Sequence, residues 1–147
     1  MRTIRLFTIS IFLIFAIQSM AVAQSVNITE TFKDHFNETV QKVEQTDSKD
    51  EKRVILNESF TKMITAIDQI ESRANLTEDQ IAQLHSYKLG IVEKQNELNG
   101  LDGFDEVLDE DLDDFSSFSQ QFIEQANRTI TIGLTTALLI LIILLLL

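Results

Sequence analysis

The chain is a small acidic protein of 147 residues, with 23 acidic against 12 basic residues and no Cys, Pro or Trp. The absence of Cys excludes disulfides, thiolate nucleophiles and zinc–thiolate sites. All 23 acidic residues lie between Glu30 and Glu124. Residues 24–128 contain only ten basic residues, so this part of the chain has a net charge of −13. Because nucleic-acid binding needs a basic face, we expect no nucleic-acid partner.

Residues 1–23 have the pattern of a secretory signal peptide. Two arginines precede an apolar run from Leu6 to Ile17, and an Ala-Val-Ala sequence places small residues directly before Gln24. As a helix the apolar run would span about 18 Å, which is short of a hydrocarbon core of roughly 30 Å. We therefore predict cleavage after Ala23 and entry into the secretory pathway.

Residues 24–117 are predicted to form an acidic, all-α domain, either a short up-and-down helical bundle or a set of helical hairpins. Helix starts are predicted near Thr29, after Ser48, after Thr77 and near Gly103, because caps and glycines there precede apolar residues spaced by three and four. The seams expected in the core are Phe32, Phe36, Val40 and Val43; Leu56, Phe60, Met63, Ile67, Ile70 and Ala74; Ile81, Leu84, Ile91 and Leu98; and Phe104, Leu108, Leu112, Phe115, Phe118 and Phe122. Such seams close within one chain or between two, so self-association is an open alternative.

Asparagine is concentrated in N-x-Ser/Thr triplets. Five of the seven Asn residues begin one, where the composition predicts roughly one by chance. Asn127 lies in the spacer next to the apolar tail, and the predicted glycosylation sites of the domain itself are Asn27, Asn37, Asn57 and Asn75. This excess favours a eukaryotic glycoprotein; in a bacterial exported protein the same triplets would carry no meaning.

The segment from Asp102 to Asp114 holds eight carboxylates in thirteen residues, with no basic residue between Lys94 and Arg128. On a helix many of these acids would share one flank, which is tolerated when the flank is solvated. The other interpretations are binding of a basic protein partner and weak binding of a divalent cation through Asp102, Asp105, Glu106 and Asp109. We assign no cofactor and no definite metal site.

Residues 130–147 form an uncharged apolar tail that would be about 27 Å long as a helix, close to the length of a membrane span. No basic cluster follows it in the sequence, which is typical of a GPI-attachment signal. That interpretation predicts lipid attachment at Ser117, with Ser119 two positions on and residues 118–129 as the spacer. The alternative is a retained single membrane span.

We expect no enzymatic activity, because the two imidazoles, His35 and His85, fall on different predicted helices and no phosphate-binding loop or nucleophile elbow is present. The leading hypothesis is a membrane-anchored extracellular helical glycoprotein that acts through protein or surface contacts. The alternatives are a bacterial periplasmic or envelope scaffold with a C-terminal transmembrane anchor, and an acidic divalent-cation-binding module.

Overall fold

The computed structural model describes residues 25–125 and 131–133, and within them four helices pack against one another. They are α1 (Ile28–Glu44), α2 (Lys49–Arg73), α3 (Glu78–Asn99) and α4 (Leu112–Gln125), with a 3₁₀ turn at Asp109–Asp111. Two three-residue strands, β1 (Ser25–Asn27) and β2 (Thr131–Gly133), pair antiparallel. The predicted all-α class is confirmed. The signal peptide and the rest of the apolar tail lie outside the described residues, and Thr131–Gly133 within that tail is extended rather than helical.

Local capping explains where the two central helices begin. The Ser48 hydroxyl accepts a hydrogen bond from the Glu51 amide at the start of α2. At the start of α3 the Thr77 hydroxyl accepts from the Gln80 amide, while the Gln80 side chain accepts from the Thr77 amide. These side chains satisfy amides that have no partner in the first helical turn. Both predicted starts are therefore confirmed.

Neighbouring helices are antiparallel, because residue numbers in the contacting pairs rise on one helix as they fall on the other. Between α2 and α3 the pairs are Asn57 with Asn99, Thr61 with Gln95, and Asp68 with Lys88. Between α1 and α4 they are Lys33 with Glu124 and Asn37 with Gln120. The bundle therefore has a loop end, formed by residues 45–48 and 100–111, and an opposite terminal end, where β1 and β2 pair.

The core follows the predicted seams on the first two helices. All four seam residues of α1 are buried, and Phe36 stacks on Phe60 of α2 with ring centroids 5.3 Å apart. The five seam residues of α2 from Leu56 to Ile70 are buried as well, and Ala74 packs partly buried against the cluster. Burial of these side chains supplies most of the stabilisation of so small a bundle.

Two predicted seams need correction. Ile81 is exposed, because it lies one turn into α3, close to the tip of the α2–α3 hairpin and beyond the described parts of the shorter helices. The fourth helix begins at Leu112 rather than near Gly103, so Phe104 and Leu108 lie exposed in a loop. The same-sign charges between Asp102 and Asp114 disfavour an earlier helix start. Phe118 is also exposed, although it lies on α4.

Gly90 allows α3 and α4 to approach closely. A Cβ at this position would lie 2.2 Å from Cζ of Phe122 and about 3 Å from the neighbouring ring atoms. The ring of Phe122 is half-buried and packs against the core at this point. A glycine inside a helix costs about 1 kcal/mol relative to alanine, and here it makes room for an aromatic side chain.

We predict that Gly90→Ala lowers the free energy of unfolding by about 1 kcal/mol or more, since the overpacking against Phe122 outweighs the gain in helix propensity. The matched background is Phe122→Ala, in which the same Gly90→Ala change should become neutral or stabilising. Urea unfolding of the four chains measures both effects. A Gly90→Ala change that stabilises the protein with Phe122 intact would show that the two helices are not in this contact.

Candidate functional site: the acidic loop end

The acidic segment is held against α2 by the side chain of Arg53, which is only 18% exposed. Its Nη1 donates to the carbonyl oxygen of Leu98 in the last turn of α3, and its Nη2 donates to that of Val107 in the loop, both at 2.6 Å. The same guanidinium forms ion pairs with Asp109 at 2.8 Å and with Glu106 at 3.2 Å. One cation therefore joins the end of α3, the loop and the 3₁₀ turn to α2.

Lys52, next to Arg53 on α2, holds the start of α4. Its Nζ lies 2.5 and 2.6 Å from the two carboxylate oxygens of Asp113. Three of the eight carboxylates between Asp102 and Asp114 are thus paired with cations of α2, more than fifty positions earlier in the chain. No ion pair involves the other five within the described ranges; they are Asp102, Asp105, Glu110, Asp111 and Asp114.

The structure does not bring the candidate cation ligands together. Glu106 and Asp109 both contact Arg53, and Asp102 occupies a left-handed turn with φ of 56° beside Gly103. Over residues 25–125 and 131–133, no group of three or more His, Cys, Asp or Glu side chains is placed to hold a metal ion. The arrangement is that of a loop docked by ion pairs.

A shallow groove of about 400 Å³ lies between this loop, the end of α3 and the start of α4. Its apolar floor includes Leu108, which is 60% exposed, and Phe118, which is 52% exposed. The complete apolar lining is Val107, Leu108, Phe115 and Phe118, and the acidic lining is Glu97, Glu106, Asp111 and Asp114. The loop thus presents carboxylates and solvent-exposed apolar side chains on one surface. The sequence does not indicate this combination, because the helical spacing of Leu108 and Phe118 predicts that both lie in the core.

Lys94 positions one wall of the groove. Its side chain is buried on α3, its Nζ lies 2.5 Å from Oε2 of Glu97, and it stands 4.5 Å above the ring centroid of Phe118. A cation over an aromatic face is attracted to the ring and keeps Phe118 in place although half of its surface meets solvent. Glu97 and Glu106 are paired with cations, so Asp111 and Asp114 carry the unpaired charge of the groove.

The predicted glycosylation sites have different surroundings. Asn75 is exposed in the turn between α2 and α3, and Asn27 lies in β1. Asn57 is half-buried and exchanges two hydrogen bonds with the Asn99 amide, at 2.7 and 2.9 Å. Asn37 is half-buried and accepts a hydrogen bond from Gln120. Asn127 lies outside the described residues.

The hydroxyls of two of these triplets meet inside the bundle. Thr39 and Ser59, which complete the triplets of Asn37 and Asn57, are buried and hydrogen-bonded to each other at 2.8 Å between α1 and α2. Nε2 of His35 lies 3.3 Å from the Ser59 hydroxyl, and burial together with the nearby Lys62 lowers the pKa of this imidazole. Ser59 is only 4% exposed, so this serine–histidine pair is a packing contact between helices, whereas His85 lies exposed on α3.

Ser117, the predicted lipid-attachment residue, lies in the middle of α4 rather than at the edge of the domain. Beyond it, Ser119 and Ile123 are buried, Gln120 bonds to Asn37, and Phe122 packs against Gly90. The predicted boundary between domain and spacer therefore falls within a packed helix.

No known family, curated protein or solved structure matches this chain. Among residues 25–125 and 131–133, no helix combines the length and the apolar character that a membrane crossing requires.

We predict that Arg53→Ala lowers the free energy of unfolding by about 2 kcal/mol, because two part-buried carbonyl oxygens and two carboxylates lose their shared donor. Arg53→Lys should recover only part of this loss, since an ammonium lacks the second nitrogen by which the planar guanidinium reaches both carbonyls and both carboxylates. Chemical denaturation measures stability, and cleavage by a Glu-specific protease at Glu106 and Glu110 reports release of the loop.

Arg73→Ala is the matched control, because Arg73 is exposed at the last turn of the same helix. It should leave loop cleavage unchanged and cost only a few tenths of a kcal/mol through the helix dipole. Equal protease sensitivity of the Arg53 and Arg73 variants would contradict the role assigned to Arg53.

Proposed function

We propose that the chain is a non-enzymatic, membrane-anchored extracytoplasmic protein that acts through contacts made by its loop end. The observation that supports this most directly is the pairing of Ser25–Asn27 with Thr131–Gly133 at the terminal end. The predicted signal peptide and the apolar tail adjoin these strands, so both would meet the bundle at the same end. The acidic loop lies at the opposite end, about 21 Å away along the fourteen residues of α4.

We further propose that the apolar tail is retained as a membrane anchor, with Thr131–Gly133 paired to β1 outside the bilayer and residues 134–147 embedded in it. Lipid attachment at Ser117 would remove Gln120, Phe122 and Ile123, all of which contact other helices or the core. A small bundle without disulfides has little stability to lose. Retention keeps α4 whole, and this packing favours a retained anchor over the GPI alternative.

The protein is proposed either as a eukaryotic glycoprotein or as a bacterial envelope protein, and one observation favours the bacterial alternative. The triplets at Asn37 and Asn57 have a structural explanation, because their asparagines bond across helices and their hydroxyls pair in the interior. Only Asn27, Asn75 and Asn127 then remain to support glycosylation. Of the sites with described side chains, Asn75 is the one whose exposure in a turn suits a glycan.

We predict that the mature, untagged protein begins at Gln24 and that its intact mass equals that of residues 24–147. It should stay with membranes after an alkaline carbonate wash and should not be released by phospholipase C.

A chain stopped after Arg128 should be exported as a folded soluble protein. A chain stopped after Ser117 should lose at least about 3 kcal/mol of stability through removal of core side chains. A mass ending near Ser117, with release by the phospholipase, would instead establish the GPI anchor.

We predict that, in a eukaryotic secretory host, Asn75→Gln removes one glycan, whereas Asn37→Gln and Asn57→Gln leave the glycan count unchanged. The reason is that a glycan on Asn37 or Asn57 would break the hydrogen bonds that these half-buried side chains make across helices, so chains carrying one would not fold, whereas the turn around Asn75 is open. Mobility on gels before and after N-glycosidase treatment measures the count. A mobility shift for Asn57→Gln equal to that for Asn75→Gln would contradict this assignment.

A further inference from the structure

The strongest unassigned feature is the groove lined by Leu108 and Phe118 at the loop end. Large apolar side chains are costly to expose, and here three of them, Leu101, Phe104 and Leu108, lie within one charged loop. Exposed apolar side chains that line a groove with a charged rim are typical of a protein-binding surface. The groove is open towards solvent at the end of the bundle opposite β1 and β2.

We propose that this groove binds a basic, amphipathic helical segment of another protein. The apolar face of such a helix would cover Leu108 and Phe118, and its lysine or arginine side chains would reach Asp111 and Asp114 at the rim. These two carboxylates lack an ion pair within the described part of the chain, whereas Arg53 and Lys94 already occupy Glu106 and Glu97. The charge that remains available is therefore acidic.

The negative charge of the loop end also favours a basic helix over a second copy of the chain or a lipid surface as the ligand of the groove. A second copy would bring one acidic loop end against another, in a chain whose residues 24–128 carry a net charge of −13. An anionic lipid surface would be repelled for the same reason. A basic helix is attracted over a distance set by ionic strength, and long-range attraction of this kind mainly increases the rate of association.

The groove is built on a stable base. Phe115 is buried in the core, and Lys94 holds Phe118 from the side. Arg53 fixes the loop through the Val107 carbonyl, directly before Leu108. A surface that is ordered before binding loses less conformational entropy on association. The proposal rests on the proposed contact function, but it does not depend on the type of membrane anchor.

The test uses the full-length chain in a nonionic detergent and a fluorescent amphipathic helical peptide of Leu and Lys, with micelles alone as the blank. Fluorescence anisotropy should show saturable binding to the chain, and the same peptide with Lys replaced by Glu should not bind. Asp111→Asn with Asp114→Asn should weaken binding roughly fivefold and reduce its sensitivity to salt. Leu108→Ser should weaken binding by about tenfold.

Asp34→Asn with Glu44→Gln is the matched control, since both residues are exposed on α1 and the change in net charge is the same. This variant should bind as tightly as the original chain, and thermal melts should show all variants folded. Equal weakening by the control pair would reduce the effect to net charge and overturn the groove. So would absence of binding to the original chain, or a dimer in sedimentation that Leu108→Ser disrupts.

Membrane retention measured on the same variants keeps the two proposals apart. Loss of peptide binding with retention intact would overturn only the groove. Specific peptide binding by a chain that is not retained in membranes would overturn only the proposed anchor.

Discussion

The arrangement of the loop end depends on one guanidinium. Without Arg53, the carbonyls of Leu98 and Val107 would lack a common donor, and Glu106 and Asp109 would face neighbouring acids with no cation between them. When Arg53 is present, the chain leaves α3 at Gly100 in a left-handed turn and passes the start of α2. It then begins α4, which runs antiparallel to α3. The direction of α4, and with it the cover over α1, follows from this path of the chain.

The parts of the fold that could be predicted are those set by neighbouring residues. Ser48 and Thr77 predict helix starts because their hydroxyls cap the first helical turn. The three-and-four spacing from Phe32 to Val43 predicts a buried face. In the acidic segment the same spacing gave a wrong prediction, because Phe104 and Leu108 fit a helical seam in the sequence but lie in an exposed loop. Two influences oppose a helix there. Repulsion among the acids of the segment is visible in the sequence, whereas the ion pairs with Lys52 and Arg53 on α2 come from more than fifty residues away and leave no local signal.

The boundary near Ser117 shows how packing and a targeting pattern can use the same residues. Small serines followed by a moderately polar stretch match a lipid-attachment signal, yet Phe122 and Ile123 are more apolar than such a spacer requires. The structure gives their reason: Phe122 lies over Gly90, and Ile123 is in the core. Ser119 is completely buried within the same packed helix. The apolar residues of the spacer were the available signal that α4 continues beyond Ser117.

Distance along the chain is a poor guide to where the charge lies. Asp114 comes only sixteen positions before the apolar tail, which in the sequence alone suggests a dense negative charge beside a membrane. The helix that separates them packs against α1 and runs from the loop end towards β1 and β2, so it holds the acids and the terminal pairing at opposite ends of the bundle. A membrane at the terminal end would then leave the carboxylates of the loop free of repulsion by anionic headgroups, because at physiological salt their field decays within about 8 Å. The acidic end would then be free to select its partner by charge, and the length of α4 would set how far from such a surface that selection takes place.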